Sequence, residues 1–435
     1  MTVRRRDPRL DLMPDKVLPL LYVATAHVSL ALAFACAATR PRAVAGFFYH
    51  AWMVGLVHLI TLGWITLSIL GVAYIVLPVA LRTPLPVRRS DYAAFGAVTI
   101  GLTGLVAHFW IGEFVGMAWC AATAAAGATF VMARISRALW RAPVSPEVKL
   151  HIWFAAANFL GAATAGTLLG FDKTYHFLPG FVLTNVFAHA HLAAVGWATM
   201  MAVGVAYRML PMMLPASPPR GRSVVASAVL MEVGVIVLFV GLITRTHWAV
   251  LGAALIAGGV ASFFFQVGIM ASHPQPRPPN AATLDYAKWH AASSAIWLLA
   301  AVTMGCVLVI SPMSEGSLRL SMAYGTAGLI GFLSQLILGM EIRILPVHAW
   351  YSRFAGNRFT TPPPAPYAAR NQFARGTVFY AWLVGVPLLA IGVFFDIPIA
   401  VGVAAWALLA GVVLSGTASL THYVSRAYPP HIDTP

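Results

Sequence analysis

Twelve stretches of this chain run for about 20 residues with almost no charge, the length a helix needs to cross a hydrocarbon core. In such a core no water is present to satisfy backbone N–H and C=O groups, so each stretch must bond its own backbone as a helix. The predicted spans fall at 18–39, 48–78, 92–110, 113–134, 150–170, 180–211, 223–244, 248–271, 288–311, 319–346, 375–394 and 397–424. With 60% hydrophobic and 9% charged residues, the chain is an all-α polytopic membrane protein and one transmembrane domain spanning 1–435. The longest connection, 347–374, contains TTPPPAPYAAR and is expected to be an extended connector.

A net charge of +15 would point to nucleic acid in a soluble protein, but its placement says otherwise. If the N-terminus is cytoplasmic, all but five of the 28 Lys and Arg residues face the cytoplasm, the exceptions being Arg40, Arg42, Lys173, Arg245 and Arg319. That bias is the positive-inside rule, so the expected partner is the lipid bilayer and not nucleic acid. The opening MTVRRRDPRL lacks the apolar core and cleavage site of a signal peptide and reads as a retained tail. The expected location is a bacterial-type cytoplasmic (inner) membrane, with both termini on the cytoplasmic side.

Within this frame one sentence is written twice. HLITLGWITLSILGVAYIVLP at 58–78 returns 133 residues later as HLAAVGWATMMAVGVAYRMLP at 191–211, with 11 of 21 positions identical. A weaker third copy, TAGLIGFLSQLILGMEIRILP, runs from Thr326 to Pro346, with Phe332 in place of Trp. Four spans separate successive copies, so the architecture reads as three four-helix units, roughly 13–140, 146–272 and 285–424. The glycines serve close helix packing, and the Tyr and Pro suit an interface and a helix end. None of these needs a histidine.

Taking 1.5 Å per residue, His58 and His191 each lie ~24 Å from the cytoplasmic end of their helices, in the outer half of the membrane. His189 lies ~3 Å further out, and His108 is near the level of His58. Intramembrane imidazoles need partners, and neutral imidazole is a common metal and heme ligand. His58, His191, His189 and His108 are therefore the cofactor-binding candidates, with His191 and His189 as metal candidates. Residues two apart on a helix point about 200° apart, so His189 and His191 are not expected to share one metal. Glu232, alone near the middle of the seventh span, is the candidate for a proton path. Glu341 is expected to pair with Arg343, His151 and His290 to be interfacial, and His27 to be structural. Cys36, Cys120 and Cys306 lie far apart and no C-x-x-C-H occurs, so covalent c-type heme is not expected.

Twelve spans in three units, with histidines on the second and sixth helices, resemble heme-copper oxidase subunit I. HAHLAAVGW and GVAYRMLP are also similar to small oxidase-subunit-like and NnrS-type heme and copper membrane proteins. The resemblance implies a b-type heme, copper as a further cofactor, and electron or gas chemistry on O2 or NO. A cytochrome or second membrane subunit is then the implied electron donor. In that family the tenth helix carries a histidine pair and the seventh helps bind copper. Here the tenth span has Thr326 at the repeat position and no His between 319 and 346, and the seventh has Glu232 but no His. Only His58, and His191 or His189, carry over, so a complete oxygen-reducing centre is not expected. Two other readings stand beside an oxidoreductase: a cofactor-free proton-coupled transporter using the His and Glu side chains, and a heme-binding sensor or assembly protein without turnover.

Overall fold

A computed structural model describes residues 8–276, 284–354 and 371–424. Twelve helices in it are long and apolar enough to cross a membrane. They are α1 (Leu18–Thr39), α2 (Ala51–Val79), α3 (Arg89–Ile111), α4 (Phe114–Trp140), α5 (Pro146–Tyr175), α6 (Val182–Met213), α7 (Arg222–Thr244), α8 (Trp248–Ser272), α9 (Tyr286–Ile310), α10 (Glu315–Arg353), α11 (Gln372–Phe394) and α12 (Pro398–Val424). All twelve expected spans are present. Most of the predicted connector falls at 355–370, outside the described residues. Successive helices run in opposite directions, so odd helices begin, and even helices end, at the face that carries the N-terminus.

The three copies of the repeated sentence sit on α2, α6 and α10, and each contains a stretch of wider π-helical turns. These are Leu59–Thr66, Leu192–Thr199 and Thr326–Ser334, each beginning at or one residue after the head position of its copy. The three π stretches touch one another at the middle of the bundle. A π turn shifts the hydrogen-bond ladder by one residue and leaves a carbonyl short of its donor. Two copies repair this with an aligned hydroxyl: Thr199 Oγ1 donates to Ala194 O at 2.8 Å and Ser334 Oγ to Leu329 O at 2.6 Å. In the first copy, Thr66 Oγ1 instead accepts from Trp197 Nε1 at 3.1 Å, joining α2 to α6.

The motif glycines seat the first helix of each unit. A Cβ at Gly71 would lie 2.5 Å from Tyr22 Cβ, one at Gly204 2.7 Å from His151 Cβ, and one at Gly339 2.7 Å from His290 Cβ. Eight residues earlier in the motif, Gly63, Gly196 and Gly331 receive Ser29, Asn158 and Trp297 in the same way. Each seated pair is seven residues apart on α1, α5 or α9, two turns along one helix face. Only glycine permits this approach, which is how small residues drive association where lipid offers no hydrophobic gain.

Three expectations are corrected here. The motif proline does not end the third copy: Pro346 lies inside α10, which continues through Arg353. Tertiary contacts override the proline, because His348 just beyond it is fully buried and bonded to Asp15 O and Tyr423 OH. His151 and His290 are fully buried rather than interfacial, since the seating glycines draw their helices inward. Arg343 bonds Asp285 and not Glu341, whose carboxyl faces His27. A buried Asp91 accepts from Tyr74 OH at 2.7 Å and pairs with Arg134, tying α3 to α2 and α4.

Candidate functional site

Beside the π stretches, toward the face opposite the N-terminus, the bundle encloses a cavity of about 840 Å³. Its wall is mostly aliphatic and aromatic, with residues from each of α1 to α11. Into it project His58 from α2, His189 and His191 from α6, and Tyr324 from α10. Lys173 and Arg245, at the far ends of α5 and α7, complete the wall on that side. Such a volume, apolar with a few converging polar groups, lies in the usual range for a small-molecule or cofactor site.

The three histidines are oriented alike. His58 Nδ1 bonds Val54 O at 2.8 Å, His191 Nδ1 bonds Phe187 O at 2.7 Å, and His189 Nδ1 bonds Ala162 O at 3.0 Å. A carbonyl only accepts, so each Nδ1 carries the hydrogen and each neutral ring keeps its lone pair on Nε2. Ligating imidazoles are commonly held by this arrangement. The rings are also fixed by packing: His58 stacks on Phe109 with centroids 5.6 Å apart. His189 lies over Gly166, where a Cβ would come within 2.8 Å of its Cε1.

Nε2 separates the three. On His58 and His189 it has no protein hydrogen-bond partner among the described residues, and the two rings lie within electrostatic range of each other. On His191 it accepts from Tyr324 OH at 3.1 Å, with the rings nearly parallel at 22°. The α-helix is regular through His191, and the π turns start after it. His189 therefore turns to α5 and His191 to α10, as a two-residue separation requires. Motif alignment favours His191 as the partner of His58, whereas the free Nε2 favours His189.

The other candidates lie elsewhere. His108 is off the cavity wall: its Nδ1 bonds Gly104 O at 2.7 Å, and Nε2 is 3.5 Å from Glu113 Oε2. Glu113 in turn caps α4 through Val115 N and Gly116 N, which explains the cluster without a ligand. Glu232 is also off the wall and accepts from Asn158 Nδ2 at 2.6 Å, behind Gly196 in the π stretch of α6. Among the described residues no group of three or more His, Cys, Asp or Glu side chains could hold a metal ion. Sequence reading missed Tyr324, Asn158 and Lys173. Tyr324 had a signal: it stands two residues before Thr326, as His189 stands two before His191.

These residues fit a flat apolar macrocycle with an iron at its centre. Imidazole lone pairs face an apolar chamber, and two cations at its far end suit peripheral carboxylates. The fit to copper is poor, since three converging ligands are not assembled and His189 and His191 diverge.

The fold is similar to that of a heme-copper terminal oxidase, solved as a dimer by cryo-electron microscopy, with a TM-score of 0.62 over 97% of this chain and 85% of that one. Identity is 8%, so the likeness is one of fold. No protein-family model matches the sequence, and no characterised protein sequence does. The chain is a multi-pass membrane protein with the fold of a heme-copper oxidase subunit.

Proposed function

We propose that this protein binds a b-type heme in the central cavity and serves electron transfer or NO and O2 metabolism without a complete oxidase binuclear centre. The observation that carries this reading is the set of cavity histidines with Nδ1 tied to carbonyls, two of them with Nε2 free. His58 and His189 are the residues we assign to the iron. Lys173 and Arg245 are assigned to the carboxylates that heme carries at its edge. Held by both histidines, the heme would supply one-electron chemistry. The chain's part is to keep water out with an apolar wall and to fix each imidazole through its backbone bond. The Tyr324 hydroxyl holds His191 in one orientation and presents a polar contact inside an otherwise apolar chamber.

On this reading the N-terminus faces the cytoplasm, following the charge bias, and the cavity lies in the outer half of a bacterial-type inner membrane. Electrons arrive from a cytochrome or a second membrane subunit at that outer side. Glu232, bonded behind the π stretch of α6, is the carboxyl we assign to proton exchange near the cavity. An NO-linked role of the NnrS type is the finer reading.

The test is a reduced-minus-oxidised visible spectrum of the detergent-purified protein, with metal analysis on the same sample. A b-type signal is expected, lost in His58→Ala and in His189→Ala. A colourless, metal-free protein from heme-replete cells overturns the reading and leaves a proton-coupled transporter in its place.

A further inference from the structure

The half of the bundle nearer the N-terminus holds a second polar group that the cavity does not use. His27 on α1 and Glu341 on α10 face each other, with Nε2 3.4 Å from Oε2. His27 Nδ1 donates to Val23 O at 3.0 Å, which leaves Nε2 as the nitrogen turned to the carboxyl. Glu341 is 2% exposed, and apart from His27 neither of its oxygens has a protein partner among the described residues. The imidazole is clamped between Trp64, edge-on with centroids 5.1 Å apart, and Gly416 of α12. Trp64 Nε1 is also buried without a partner among the described residues, as are Ser68 Oγ one turn along α2 and Tyr22 OH on α1.

The other charged groups on the adjoining helices are engaged away from this pair. Arg343 bonds Asp285, with Arg375 beside them, and Asp91 bonds Arg134 and Tyr74. Arg353 bonds Tyr423 O, Asp15 caps α1, and His422 is half-buried near the end of α12. One proton shared between His27 and Glu341 makes the pair neutral. Imidazolium with carboxylate and imidazole with carboxylic acid are both neutral overall, whereas losing or gaining a proton leaves a net charge at depth, which is costly. Among the described residues no third charged group is paired with either partner.

His348 lies seven residues beyond Glu341 on the same face of α10, ~10 Å nearer the N-terminal face. It is fully buried, with Nε2 2.7 Å from Asp15 O and Nδ1 2.9 Å from Tyr423 OH, which is itself 3.2 Å from Leu345 O. Neutral His348 donates from Nε2 and accepts from Tyr423 at Nδ1. Protonated His348 donates from both nitrogens while Tyr423 turns its hydroxyl to Leu345 O. Both protonation states keep both bonds of His348.

We propose that His27 and Glu341 form a proton-binding site inside the bundle, loaded through His348 from the face that carries the N-terminus. A proton arriving from water enters at His348 Nδ1 and is passed on to the His27–Glu341 pair, with only N–H and O–H bonds made and broken. The site stands whether or not the cavity holds a heme.

The test is infrared difference spectroscopy of the full-length protein in lipid vesicles, between mildly acidic and mildly alkaline buffer, in H2O and in D2O. Wild type is expected to show the C=O band of a buried carboxylic acid that titrates and shifts in D2O. Glu341→Gln should lose that band, and His27→Gln should keep it with a displaced midpoint. His348→Phe should slow its exchange with D2O. Identical spectra from wild type and Glu341→Gln overturn the site, and unchanged exchange in His348→Phe overturns the route. If Glu341→Gln fails to fold, by circular dichroism, His27→Gln carries the test, and an unmoved midpoint overturns the pair.

Discussion

In α6 the residue that heads the motif is His191, while in α10 it is Thr326 and the polar ring reaching the cavity comes from Tyr324, two residues earlier. Everything beneath that head position is shared: a π stretch, a hydroxyl bonded to the carbonyl five residues back, and two glycines seating the preceding helix. The lesson is a division of labour within one motif. Its lower part is fixed by backbone geometry and tolerates little change. Its head is His in the first two copies and Thr in the third, where the polar group reaching the cavity is the Tyr324 hydroxyl bonded to His191.

The largest effect expected from breaking the comparison is all-or-none. His189→Ala should abolish the b-type spectrum, while Thr326→Ala at the head of the third copy should leave it intact. Heme content per protein, measured on purified variants, decides the matter. Equal loss in both would mean that the head of the third copy matters to the heme as much as His189 and that Nε2 availability is the wrong criterion.

The shared frame makes a second, smaller prediction. Gly71→Ala, Gly204→Ala and Gly339→Ala each drive a methyl group to within 2.7 Å of a side-chain carbon on the facing helix. Overpacking of this kind costs about 1–3 kcal/mol, read as lowered thermal stability in detergent. Gly325→Ala and Gly328→Ala lie on the same α10 but have nothing within 4 Å, so they should be nearly silent. A sensitive Gly328 with a tolerant Gly339 would show that seating, as described, is not what holds the units together.

Much of this frame was legible in the sequence, and the reason is periodicity. Apolar runs of membrane-crossing length give all twelve helices, and the recurring Gly-Trp, Gly-Val-Ala-Tyr and Leu-Pro groups mark the equivalent segments. The π turns were not legible, because their signal is only the Thr66, Thr199 and Ser334 hydroxyls, a residue type common for other reasons in apolar helices. The site was legible by half. His58, His189 and His191 stand out because imidazole is rare in such runs, but nothing in the sequence says that His108 turns to Glu113 and away from the cavity. Nor could spacing reveal that Glu341 faces His27, 314 residues away, when Arg343 stood two positions from it. Contacts between units are invisible to a reading made along one helix.

The second and third units also differ at the histidines their glycines seat. His151 bonds Ser227 Oγ at 3.0 Å, and Tyr207 OH bonds the same oxygen at 2.9 Å. His290, its counterpart, is fully buried, with neither ring nitrogen partnered among the described residues. Removing a shared partner strands polar groups, whereas replacing an unpartnered polar ring with an apolar side chain strands nothing. Ser227→Ala should therefore destabilise by about 1–3 kcal/mol, and His290→Leu should be near neutral or stabilising. Thermal melts of both variants sharpen the comparison. A strong loss in His290→Leu would mean that the ring has a partner in the folded membrane protein.

The smallest effect belongs to the hydroxyl that joins α10 to the head of the α6 copy. Tyr324→Phe removes the donor to His191 Nε2 and keeps the ring and its stacking, so the stability change should be about 0.5–1.5 kcal/mol. Its value lies in the spectrum and not in the melt. If His58 and His189 hold the iron, freeing His191 Nε2 leaves the b-type bands in place and shifts them only slightly, through the altered polarity of the wall. If His191 is itself a ligand, the hydroxyl competes with the iron for one lone pair. Removing it should then raise heme retention in Tyr324→Phe above wild type and change the axial-ligand signature. The same substitution thus discriminates between the motif alignment, which favours His191, and the hydrogen-bond geometry, which favours His189.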